Sequence, residues 1–120
     1  MSEPSTPDTI NCNLSALLPE ERSRRKQLAA SIRAGATSIE ETSEGYALHL
    51  PDDPEMQHAA FELILLERRC CPFLTLDLDF GATGDETVMR VGGGPGVKEF
   101  LVGTDVLGCA SVPEGQCDCN

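Results

Sequence analysis

Leu74, Leu76, Leu78 and Phe80 alternate with Thr75, Asp77 and Asp79, the period-two pattern of a strand with one face turned inward. Thr87 to Val91 supplies a second strand across the turn Gly81-Ala82-Thr83-Gly84-Asp85, so the pair reads as a hairpin. An earlier hairpin is predicted from Ser38–Glu41 and Tyr46–Leu50, in which Tyr46, Leu48 and Leu50 alternate with Ala47 and His49. Its turn is Thr42-Ser43-Glu44-Gly45, with the glycine expected at a positive backbone angle.

The spacing of apolar residues changes to a helical one in two other stretches. From Leu17, Pro19 suits a first helical position, Glu20 and Glu21 suit the positive end of the helix dipole, and Arg22, Arg24, Arg25 and Lys26 follow. Gly35 stops this helix, whose narrow stripe of Leu28, Ala29 and Ile32 predicts one buried face and a mostly wet surface. The second helix runs from about Glu55 to Cys70 and opens after Pro51-Asp52-Asp53-Pro54, where Asp53 can cap and Pro54 can begin it. Gly92-Gly93-Gly94-Pro95-Gly96 breaks the last strand, and Val97 to Leu101 reads as a short helix packing Phe100 and Leu101.

The order helix, hairpin, helix, hairpin, short helix predicts an α+β fold. Its expected form is a two-layer sandwich, a four-stranded antiparallel sheet from two hairpins covered by two main helices and a short C-terminal helix. The pattern leaves the strand order open. Residues 1–13 read as a disordered lead, 14–104 as a single domain and 105–120 as a flexible, cysteine-bearing tail.

Projected at about 100° per residue, the second helix places Met56, Ala59, Ala60, Leu63 and Cys70 on one side, with Cys71 at its edge and Glu67 near its centre. A carboxylate on an apolar face must be paired, protonated or used, because burying it alone is costly. One reading makes Glu67 half of a buried ion pair with an arginine of the first helix, and Cys70 and Cys71 small core residues. The other takes all three as one site, since Glu67 lies three and four residues before the thiols, neighbour spacings on a helix.

Two adjacent thiols offer a two-sulfur grip on a soft metal or metalloid ion such as mercuric, arsenite, cuprous or zinc, with Glu67 as a base or weak ligand beside them. A helix C-terminus raises thiol pKa values and works against nucleophilic attack, whereas coordination deprotonates a thiol outright, so the position favours ion capture. The tail adds Cys109 and Cys117-Asp118-Cys119, and the lead adds Cys12, as further candidate sulfur ligands. A Cys-x-x-Cys pair is missing, and only His49 and His58 offer imidazole nitrogen. The competing readings are a thiol-disulfide redox enzyme or sensor working through the same cysteines, and a non-catalytic structural or interaction module; whether any turnover occurs is left open.

Charge narrows the partners. Nine basic residues against twenty acidic ones give a net charge of -11, which opposes binding to nucleic acid or an anionic membrane. The polar, acidic start has no signal-like pattern, so a cytoplasmic location with reduced thiols is expected, where six cysteines point to metal or redox chemistry. Gly92 to Lys98 does not make a phosphate loop, because the lysine is not followed by Ser or Thr; no nucleotide cofactor is expected.

Glu67-Arg68-Arg69-Cys70-Cys71-Pro72-Phe73-Leu74, followed by Gly94-Pro95-Gly96-Val97-Lys98-Glu99-Phe100-Leu101, resembles a family of small bacterial proteins marked by these two blocks. With Cys12-Asn13-Leu14 and Glu44-Gly45-Tyr46, the resemblance covers about residues 12–101. It implies an association with heavy-metal and metalloid resistance loci, which agrees with a metal or metalloid ion as partner; a protein partner for ion transfer is a separate expectation. The cysteines after Leu101 lie outside the resemblance.

Overall fold

The computed structural model describes residues 13–103; the expectations for residues 1–12 and for the tail after 103 lie outside that range. Helix α1 spans Pro19–Gly35. Leu18 has no side-chain oxygen with which to cap it, and the Glu21 carboxylate instead accepts the Leu18 N–H at 2.9 Å, satisfying one donor at the helix start. Helix α2 spans Pro54–Cys70, and Asp53 caps it by accepting the Met56 N–H at 2.9 Å.

Four strands, β1 (Ser38–Glu41), β2 (Gly45–Leu50), β3 (Thr75–Asp79) and β4 (Thr87–Gly92), form one antiparallel sheet in the order β1-β2-β4-β3. The two expected hairpins are present and join through β2 and β4, with Tyr46 opposite Val91, Leu48 opposite Met89 and Leu50 opposite Thr87. These residues, with Leu76 and Leu78 of β3, form the inner face, which α1, α2 and helix α3 (Val97–Gly103) cover with Leu28, Ile32, Leu63, Val97 and Leu101. The fold is the expected α+β sandwich.

Two local expectations are corrected. Gly45 is not at a positive φ; that conformation belongs to Gly81, Gly84 and Gly96. Gly45 is a glycine for space, since a Cβ there would lie 2.0 Å from the Val91 carbonyl oxygen across the sheet. Phe80 does not continue the inward alternation: β3 ends at Asp79, and Phe80 is 49% exposed past the end of an edge strand.

Ion pairs hold α1 and α2 antiparallel. Arg24 forks onto Glu62 at 2.9 and 2.8 Å, and Arg69 forks onto Glu21 at 2.7 and 3.0 Å. Arg69 also donates to the Ala16 carbonyl, which fastens the 3-10 turn Leu14–Ala16 to the C-terminal end of α2. At the opposite end Gly35 lets Met56 approach so closely that a Cβ would overlap its methyl group.

Candidate metal centre at the end of helix α2

The last turn of α2 carries Glu67 and Cys70 inward, and the chain leaves the helix at Cys71, whose N–H still donates to the Glu67 carbonyl at 2.7 Å. Pro72 has no N–H to continue the helix and disfavours a helical conformation in the residue before it. The exit therefore turns the Cys71 side chain into the core beside Cys70, and both cysteines are completely enclosed. Their Sγ atoms are 3.6 Å apart. One carboxylate oxygen of Glu67 and the two sulfurs all lie within 4.8 Å of one another, a group with the donors to hold a metal ion.

Glu67 is also ion-paired. Its Oε2 lies 2.9 Å from Arg25 Nε, with the two side chains 5% and 4% exposed. The guanidinium is close without being well aligned, so Oε2 accepts no hydrogen bond of good geometry. Burial pushes the Glu67 carboxyl above its ordinary range, and the Arg25 charge pulls it back without cancelling that effect. Arg69 stays firmly protonated, held first by its hydrogen bond to Glu21 and then by the Glu21 charge against a cost of desolvation.

The sulfurs are not equivalent. Cys70 is outside any disulfide, whereas Cys71 is disulfide-bonded. Of the two, only Cys70 then carries a proton, so the 3.6 Å contact is a Cys70 S–H donating to Cys71. The Cys71 donor becomes available to an ion when its disulfide is opened.

The surroundings tie the site to the rest of the fold. Asn13 donates its N–H to the Cys70 carbonyl oxygen at 2.7 Å, and Leu74 donates to that of Cys71 at 3.1 Å. Phe73 meets Phe100 edge to face, with ring centroids 5.1 Å apart. A Cβ on Gly93 would lie 3.1 Å from the Phe73 carbonyl oxygen and 2.9 Å from Val97. The cysteine-bearing block and the glycine-bearing block of the sequence thus pack against each other.

Of the candidate ligands, the structure brings together Glu67, Cys70 and Cys71; Cys12, Cys109, Cys117 and Cys119 lie outside the described residues. His49 faces away from the site and contacts Glu40 and Glu86. His58 is on the exposed side of α2. Sequence reasoning left the identity of the arginine open. The signal was present, because Arg25 falls on the stripe of Leu28, Ala29 and Ile32 at helical spacing, a charge among core positions just as Glu67 is on α2.

Comparison with family models, with curated proteins and with solved structures finds no match to this chain. Among the described residues no helix is long and apolar enough to cross a membrane.

Proposed function

We propose that the end of α2 captures a soft metal or metalloid ion through Cys70 Sγ and Cys71 Sγ in their reduced form, with the Glu67 carboxylate as the third donor. The observation that carries this reading is the convergence of those three donor atoms within 4.8 Å in an enclosed position. Soft thiolates select soft ions, and binding an ion to a buried carboxylate and two thiolates offsets the cost of burying their charges. Arg25 limits where the Glu67 carboxylate can go and partly offsets its charge.

The sulfur separation favours some ions over others. Metal–sulfur bonds of about 2.3 Å set roughly 3.8 Å between two sulfurs on a tetrahedral ion and about 4.6 Å on a linear one. The 3.6 Å found here suits bent coordination, as with zinc or pyramidal arsenite. A linear two-sulfur grip on a mercuric or cuprous ion needs the sulfurs to part by about 1 Å. The resemblance in Glu67 to Leu74 agrees with ion capture.

Non-denaturing mass spectrometry and calorimetry on reduced protein, with zinc, arsenite and mercuric ions in turn, test the reading. A single ion should bind, and Cys70→Ser and Cys71→Ser should each abolish or sharply weaken capture. Unchanged stoichiometry and affinity in both variants would reject the site.

The disulfide at Cys71 favours a second reading, a thiol-redox protein that uses the pair without any ion. Thiol trapping across a redox titration separates the two. Reversible loss of two thiols with no ion affinity in the reduced protein supports the redox reading and rejects ion capture.

A further inference from the structure

We propose that the species captured at the end of α2 is an uncharged trivalent metalloid hydroxide, of the type of arsenous acid, which exchanges two hydroxyls for the thiols of Cys70 and Cys71 and keeps the third against the Glu67 carboxylate. The inference rests on the ion-capture reading and concerns the protein with the Cys71 disulfide opened.

The donor set comes first. Among the described residues the group consists of Glu67, Cys70 and Cys71, all three buried. Zinc almost always takes four donors in a closed protein site, so this set leaves it one short. A trivalent metalloid makes three bonds and carries a lone pair in place of a fourth. With sulfur bonds of about 2.3 Å, the 3.6 Å between the two Sγ atoms sets roughly 100° between those bonds, the angle of a pyramid with a lone pair at its apex.

Glu67 already has a partner. Its Oε2 is 2.9 Å from Arg25 Nε, and both side chains are almost wholly enclosed. A dication bonded to the carboxylate competes with that guanidinium, and it carries its own charge and tightly held water into a site shut off from solvent. An uncharged hydroxide carries neither. The hydroxyl that it keeps donates a hydrogen bond to the carboxylate, so Glu67, the third donor of the group, meets the captured species through that hydroxyl and retains Arg25.

The exchange balances without an oxidant or a reductant. Cys70 Sγ and Cys71 Sγ each form one bond to arsenic, and one arsenic–oxygen bond breaks for each. Every displaced hydroxyl leaves as water with the proton of the thiol that replaces it, so arsenic stays trivalent, no sulfur is oxidised and no net proton is released. Capture of zinc by the same thiols expels their protons to solvent.

That difference supplies the test. Full-length protein is reduced with a phosphine, since a dithiol would itself take arsenic, and the phosphine is removed anaerobically. Arsenite, zinc and mercuric ions are titrated by calorimetry near neutral pH in two buffers of different ionisation enthalpy, and the arsenic adduct is weighed by non-denaturing mass spectrometry. One arsenic should bind without net proton release, and its adduct should be one water heavier than arsenic held by three protein donors. Zinc should release protons and bind at least about tenfold more weakly, the lower end of the loss seen when a metal site lacks one supporting partner. An adduct lighter by that water, net proton release with arsenite, or zinc bound as tightly as arsenite overturns the inference and leaves ion capture standing. Capture of zinc or mercuric ion without arsenite does the same, whereas binding of none of the three overturns ion capture and the inference with it. Glu67→Gln should keep the heavier adduct and weaken arsenite capture about tenfold; unaltered affinity rejects the contact between Glu67 and the retained hydroxyl.

Discussion

Arg25 Nε lies 2.9 Å from Glu67 Oε2 in the contact between α1 and α2, and both side chains are almost wholly enclosed. The pair gives Glu67 two neighbourhoods, a guanidinium on one side and two sulfurs on the other. Whether Glu67 serves scaffold or site is thus a matter of which loss follows its replacement.

Removing one member of a buried ion pair leaves the other charge poorly compensated, a cost of about 3–5 kcal/mol. Arg25→Met and Glu67→Gln should each lower urea stability by that order. The double variant Arg25→Met/Glu67→Gln should lose far less than the sum, because both charges go together. Additive losses would mean that the pair is not coupled. A Glu67→Gln protein that loses stability but binds the ion with unaltered affinity would assign Glu67 to the scaffold alone.

Acid and alkaline limbs of stability should have different origins in metal-free protein. The hydrogen bond from Arg69 holds the Glu21 carboxyl below its ordinary range, and Arg24 does the same for Glu62. A depressed carboxyl contributes stability that is present above its unfolded pKa and is lost as pH falls through the folded value. Glu67 has the opposite sign: its pKa is raised by burial, so its contribution is complete below the ordinary carboxyl range and is lost as pH rises through the folded value. Urea midpoints from about pH 3 to about pH 8 should show a flatter acid limb for Glu21→Gln. The decline at higher pH should be flatter for Glu67→Gln, and a reversal of these assignments would refute them.

Gly45→Ala should destabilise the sheet by about 1–3 kcal/mol, the usual cost of overpacking, because its Cβ would meet backbone atoms of Val91 and Gly92 that cannot move aside alone. Gly94→Ala is the control. Nothing lies within 4 Å of a Cβ at that position, and its φ is not in the left-handed region, so its melting temperature should stay close to that of the parent protein. Equal melting temperatures for the two variants would show that β2 and β4 pair in a different register.

Thr87 is fully buried, and its hydroxyl accepts a hydrogen bond from Gln57 Nε2 at 2.9 Å, linking the start of β4 to the first turns of α2. Thr87→Val keeps the shape and removes the acceptor, so stability should fall by about 1 kcal/mol. Chemical denaturation checks it. The loss should largely vanish in a Gln57→Leu background, where no donor is left without its acceptor.

Much of the site was legible because it lies within one helix. The spacings between Glu67, Cys70 and Cys71 put them together whatever the rest of the chain does, and the apolar residues around them show which side faces inward. The Gly45 expectation failed for a complementary reason. A glycine in a hairpin turn usually signals a positive φ, but the space requirement at Gly45 comes from β4, a strand more than forty residues further along.

The sequence by itself determined which elements form and where the two main helices begin, because Pro19, Asp53, Pro54 and the alternation in β2 and β3 act through local hydrogen bonds and local periodicity. It also determined that Glu67 shares a helix face with the cysteines. Only the tertiary structure decided that β2 pairs with β4, that Arg25 is the arginine that meets Glu67, and that Cys71 is bonded while Cys70 is not. Those outcomes depend on which distant segments come into contact. Periodicity within a segment says which face is buried and nothing about the partner that buries it.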